Sequence, residues 1–166
     1  MNARQTVVFE VFADYNQFYV QDGGIFPDAP TDWTDVDVER RAKAAANVLV
    51  ICPLRNATVP VTLEVFDSAP TIDLAGYDHV IRCSLDLPTG NLQVHECTGG
   101  EVYSRAVPPG TYTVLALFSG LNSLSENGLD GEDSYRLVIW ASRTPVSLEV
   151  LKAWPLSPYR HEQEDC

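Results

Sequence analysis

The sequence predicts a mainly β protein, an antiparallel β-sandwich of about 8–10 strands with one short α-helix. Three observations carry that prediction. Apolar and polar residues alternate with a period of two in much of the chain, as in Thr6–Ala13. Short apolar runs are separated by turn clusters such as Pro88-Thr89-Gly90-Asn91, Thr98-Gly99-Gly100 and Pro108-Pro109-Gly110. Only one segment carries helix start signals.

Taken in order, Thr6–Ala13 reads as a strand, Asp14-Tyr15-Asn16 as a turn and Gln17–Val20 as a second strand, so the chain is expected to open on a hairpin. Residues 21–33 are loop by composition. Thr34 followed by Asp37 has the spacing of a capping box, with Asp in place of the usual Glu, and Asp32 is a second candidate cap. Acids (Asp35, Asp37, Glu39) precede bases (Arg40, Arg41, Lys43), as the helix macrodipole favours. Ala42–Ala46 extends the expected helix, and Asn47 ends it. The rest reads as strands at Val48–Cys52, Val59–Phe66, His79–Leu87, Leu92–Cys97, Val102–Val107, Thr111–Ser119, Ser134–Ala141 and Val146–Ala153.

A chain of 166 residues is expected to form one domain, here over 1–154, with 155–166 as a flexible tail. Acidic residues number 23 against 11 Lys plus Arg, for a net charge of −12. Direct binding to nucleic acid needs clustered cations, so this balance argues against it and fits either a protein that repels DNA or one that meets a basic protein partner. No apolar leader segment or ~20-residue apolar span is present in the sequence, so no membrane insertion is expected. Cys52, Cys83, Cys97 and Cys166 lack CxxC spacing, and a cytoplasmic protein with reduced thiols is the expectation.

The acids are unevenly placed. Between Arg4 and Arg40 there is no basic residue but eight acids, and Glu126, Asp130, Glu132 and Asp133 crowd the loop before Arg136. Packed side by side, the two segments would form a strongly negative face. Asp28, Asp32, Asp35 and Asp37, with Glu126, Asp130 and Glu132, are therefore candidate partner-binding residues. Trp33 is a candidate aromatic anchor, or else a staple holding the helix start to the core.

Other chemistry finds less support. Asp35, Asp37 and Glu39 imitate the spacing of Ca²⁺ ligands, but Arg40 stands where the loop needs Gly, and helical geometry splays alternate side chains. His79, Cys83, His95 and Cys97 could meet one Zn²⁺ only through strong bending of the strands. His79, His95 and His161 have no glycine-rich nucleophile elbow near them, and no Walker loop, GxGxxG or HExxH occurs, so no enzyme activity, metal or cofactor is expected. Abundant carboxylates leave a glycosidase-like pair open only to geometry. The aromatics fit core packing better than an exposed carbohydrate platform.

One ordered set of residues carries a resemblance. It comprises Tyr15-Asn16-Gln17-Phe18-Tyr19-Val20, Asp32-Trp33-Thr34-Asp35, Ala42–Ala46 and Arg55-Asn56, with looser agreement at Leu85-Asp86-Leu87-Pro88, Pro109-Gly110-Thr111-Tyr112 and Asp133-Ser134-Tyr135. In this the chain resembles the competence protein J family, inhibitors of a bacterial DNA-entry nuclease. It departs in being longer around Asp67–Tyr77 and 120–133 and at its carboxyl end. The resemblance implies a small cytoplasmic protein that binds and blocks a metal-dependent nuclease. An acidic surface could fill the basic substrate groove, with carboxylates where phosphates would lie. The alternative expectation is a generic ligand- or Ca-binding sandwich module.

Overall fold

The computed structural model describes residues 4–155. Two sheets face each other across one core. The strands are β1 (Arg4–Phe12), β2 (Phe18–Asp22), β3 (Ala42–Ala45), β4 (Val48–Ile51), β5 (Thr58–Phe66), β6 (His79–Leu87), β7 (Asn91–Glu96), β8 (Gly100–Ala106), β9 (Gly110–Ser119), β10 (Ser134–Ala141) and β11 (Glu149–Lys152). One helix, α1, spans Asp35–Arg40. The larger sheet has the order β1-β5-β10-β9-β6-β11 and the smaller β3-β4-β2-β7-β8. Between them lie Val61, Ile81, Val114, Phe118, Leu137 and Ile139 from the larger sheet, against Phe18, Val20, Leu49, Ile51, Leu92 and Val94 from the smaller. The expected mainly β sandwich with one short helix is therefore what forms.

Several strands read as continuous apolar runs, because each sheet is covered on its outer face as well. Val80, Leu115, Leu117 and Val138 of the larger sheet are covered by Ile72, Leu74 and Tyr77. Arg136 ties that cover down, bonding Glu64 on the sheet and donating to the Tyr77 hydroxyl at 2.9 Å. On the smaller sheet Tyr19, Val48, Val50 and Cys52 are covered by Ala29 and Trp33.

Three local expectations are corrected. First, β1 and β2 form no hairpin; β1 pairs with β5 and β2 with β4 and β7, in different sheets. Tyr15 and Asn16 both adopt positive φ, and Ala13 N–H bonds Ala57 O at 2.9 Å, which sends the chain across the sandwich. Asn16 Nδ2 fixes this crossing by donating to Pro53 O and Leu54 O in the return crossing between β4 and β5. Secondly, the helix ends at Arg40, and Ala42–Ala45 is an edge strand on β4. Arg41 takes the left-handed conformation (φ 59°) with its side chain buried, and pairing with β4 outweighs the helix propensity of alanine. This is the additional strand. Thirdly, the sandwich is not wholly antiparallel, because β5 and β10 pair in parallel in the middle of the larger sheet. The expected tail falls, apart from Pro155, outside the described residues.

Candidate partner-binding site

The first acidic segment leaves β2 at Asp22, which is fully buried and acts as an anchor. Its carboxylate accepts from Gly24 N–H and Thr89 N–H, each at 2.8 Å, and from the Thr89 hydroxyl. Gly23 N–H bonds Asn91 O at 2.9 Å. A Cβ on Gly24 would lie 2.2 Å from Thr89 Oγ1, so the close approach at this base requires glycine. The chain then turns outward through Ile25 and Phe26, returns at Ala29 and lays Trp33 on the smaller sheet. Trp33 Nε1 donates to Pro30 O at 3.2 Å, so the indole is placed by packing and by a local hydrogen bond.

The acids of this segment have different fates. Asp28 and Asp35 are exposed, and the Asp32 side chain is 88% exposed. Asp37 is buried and engaged. It completes the capping box with Thr34, receiving Thr34 N–H at 2.9 Å while Thr34 Oγ1 accepts from Asp37 N–H at 3.2 Å. Lys43 Nζ lies 2.6 Å from the same carboxylate. Burial pushes the Asp37 carboxyl up, but the bonds from Lys43 and Thr34 overcome this and hold it below the usual range. Lys43 also reaches Asp32, through its carbonyl at 3.1 Å and its carboxylate at 3.7 Å. Hence Asp28, Asp32 and Asp35 present exposed carboxylates, that of Asp32 beside Lys43, and Asp37 shapes the segment that carries them.

The second segment, between β9 and β10, is organised by hydroxyl and amide side chains. Ser123 Oγ accepts from Glu132 N–H at 2.7 Å, and Ser125 Oγ accepts from Asp130 N–H at 3.0 Å. Asn127 Oδ1 accepts from Leu129 N–H at 3.0 Å. These bonds leave Glu126, Asp130 and Glu132 exposed. Asp133 turns inward, fully buried, receiving Arg55 Nε and the Tyr135 hydroxyl, both at 2.6 Å. The Tyr135 oxygen accepts from Leu54 N–H at 2.9 Å, and Arg55 Nη1 donates to Leu129 O at 3.1 Å. Burial and the neighbouring Asp133 carboxylate raise the Tyr135 phenol well above its ordinary value, so it stays a neutral donor.

A chain of contacts connects the two segments. His79, fully buried at the start of β6, has Nε2 2.7 Å from Arg40 O and Nδ1 accepting from Trp154 N–H at 3.1 Å. Those two partners fix the neutral tautomer with the proton on Nε2. Trp154 Nε1 donates to Asn122 Oδ1 at 3.2 Å, and the Arg41 guanidinium stacks 4.9 Å over the indole. Thus the end of α1 connects to the second loop through His79 and Trp154.

The candidate zinc ligands are divided between the two sheets. His79 and Cys83 lie on β6 of the larger sheet, whereas His95 lies on β7 of the smaller. Among the described residues no group of three or more His, Cys, Asp or Glu could hold a metal. His95 stacks on Tyr19 and His79 serves structure; His161 lies outside the described residues. Cys83 is a buried thiol, and burial pushes its pKa up to about 11. No described helix is long and apolar enough to cross a membrane.

Comparison with solved structures places this architecture. The chain is similar to ComJ, inhibitor of the DNA degrading activity of NucA, from Bacillus subtilis. The TM-score is 0.67 at 18% identity, over 86% of this chain and 99% of ComJ. It is also similar to crocagin biosynthetic gene J, with a TM-score of 0.57 at 20% identity, over 85% and 99% of the two chains. The fold is therefore ComJ-like. No family model matches the chain, and no curated protein matches it.

Sequence reasoning missed two features. One is the set Asn16, Arg55, Asp133 and Tyr135, in which Asn16 holds the 53–54 carbonyls and Asp133 receives Arg55 and Tyr135; all four lie in the segments that carry the resemblance. The other is Phe26, an isolated aromatic in a polar loop with no periodicity to mark it.

Proposed function

We propose that this protein is a nuclease-binding inhibitor that places an acidic surface in the basic substrate groove of a DNA-degrading nuclease of the NucA type. The observation that carries this reading is the shared fold with ComJ, which spans nearly all of that inhibitor. The second support is electrostatic: a net charge of −12, with Asp28, Asp32 and Asp35 exposed on a segment held at its base and end. The exposed acids Glu126, Asp130 and Glu132 form the second part of the proposed surface, and Trp33 and Asp37 position the first part. A groove that binds phosphate draws in carboxylates by the same attraction, which speeds encounter and selects the partner. The work is done by occlusion, with no reaction of the inhibitor's own.

The test is protection of plasmid DNA from NucA by the purified protein across a salt series. Protection should be strongest at low salt and should weaken as ionic strength rises, because exposed pairs are screened. Replacing Asp28, Asp32 and Asp35 together by Asn should weaken inhibition about tenfold, the sum of three exposed pairs. Degradation that is unchanged at excess protein and low salt would overturn the reading.

A further inference from the structure

We propose that Phe26 is the apolar anchor of the inhibitory interface, inserting into a hydrophobic pocket of the nuclease whose rim of Lys and Arg side chains pairs with Asp28 and Asp32. This rests on the inhibitor reading and names the contact on which that reading's affinity depends.

Phe26 is 79% exposed, the highest value among the exposed large hydrophobic residues described, ahead of Val8 at 68%. Ile25 beside it is also exposed. Exposure alone is ordinary for a surface apolar residue, but here it coincides with an unfavourable backbone. Phe26 has φ 56°, in the left-handed region that bulky side chains avoid, and it precedes Pro27, which further restricts the residue before it. Asn or Gly would meet this backbone with less strain, and the described fold gives the ring little to pack against. Strain held at an exposed aromatic residue points to a role outside the fold.

The tip is also presented rigidly. On one side the Asp22 carboxylate, Thr89 and Asn91 clamp Gly23 and Gly24. On the other, Ala29 and Trp33 are packed on the smaller sheet. A ring carried between two fixed points loses little freedom on binding, which favours affinity. A buried phenyl ring surrounded by paired charges has the composition of an interface hot spot. Between Arg4 and Arg40 the chain carries eight acids and no base, so the complementary occupant is a cationic protein surface with an apolar recess.

The experiment measures Kd for NucA with the wild-type chain, Phe26→Asn and, as a control on the edge strand β1 of the larger sheet, Val8→Thr. Melting temperature and oligomeric state are recorded for each. Phe26→Asn should weaken binding about thirtyfold while its melting temperature stays level or rises, since Asn tolerates the left-handed backbone. Val8→Thr should bind as wild type. The thirtyfold ratio should be equal at about 50 and about 500 mM salt, because burial of an apolar ring is not screened. A loss below about tenfold, with wild-type binding intact, would overturn the anchor and leave the inhibitor reading standing. A wild-type dimer that Phe26→Asn converts to a monomer would overturn it too, by making the occupant a second copy. Absence of wild-type binding would overturn both.

Discussion

The two acidic segments reach the surface by different physical means. Between β2 and α1 the chain is held from below: Asp22 is buried at its base, and Ala29 and Trp33 lie on the apolar outer face of the smaller sheet. Between β9 and β10 the loop is held from within, by Ser123, Ser125 and Asn127, and at its exit by the buried Arg55–Asp133 pair. Packing of the first kind tolerates solvent at its edges and fixes direction. The second kind depends on a few polar bonds, one of them an ion pair removed from water. Similar charge is thus displayed on supports that should fail differently.

Breaking the ion pair should have the largest effect. Asp133→Ala leaves the Arg55 guanidinium buried without its carboxylate and frees the Tyr135 hydroxyl, a loss of about 3–5 kcal/mol. The urea midpoint would report it, and a change under about 1 kcal/mol would show that the pair is not the support described. Trp33→Ala should cost less, about 2–3 kcal/mol, because the indole is only half-buried. Hydrogen exchange should then rise in residues 24–34 while 121–132 keep their protection. Equal loosening of both would merge the two supports into one.

The smallest effect concerns the joint between them. Burial lowers the His79 pKa, and Arg41 lowers it further against the opposing bond to Arg40 O. The folded protein therefore resists a proton that the unfolded chain accepts near pH 6.5. Stability from this source is complete above about pH 6.5 and declines as pH falls from there toward the lowered folded value. The melting temperature should drop between pH 7.5 and 5.5, less steeply in His79→Gln. Identical slopes would remove His79 from the account.

Strand positions were legible because period two and Gly, Pro and Asn punctuation are local signals, and β6 and β10 match their expected ranges. Pairing was not. Asp14-Tyr15-Asn16 has the composition of a hairpin turn, yet its left-handed residues and its bonds to the 53–57 crossing belong to a bridge between sheets. Ala42–Ala45 shows local preference yielding to an edge pairing with β4. At the site the capping box was readable from Thr34 and Asp37, and the exposed acids from charge spacing. Burial of Asp37 against Lys43 depends on β3, which the sequence disguised as helix. The residues that carried the resemblance, Asn16, Arg55, Asp133 and Tyr135, hold the two crossings and the loop exit together. That is why they signal a fold more directly than a binding surface.

The position of β10 has a consequence for how the larger sheet closes. It lies between β5 and β9, and its neighbour β5 is more than sixty residues upstream. Without Ser134–Ala141 the pairings of the larger sheet divide into two groups, β1 with β5 and β6 with β9, each with an unpaired rim open to neighbouring chains. Closure of the larger sheet therefore awaits Ser134–Ala141, and a chain lacking that strand would carry two adhesive half-sheets.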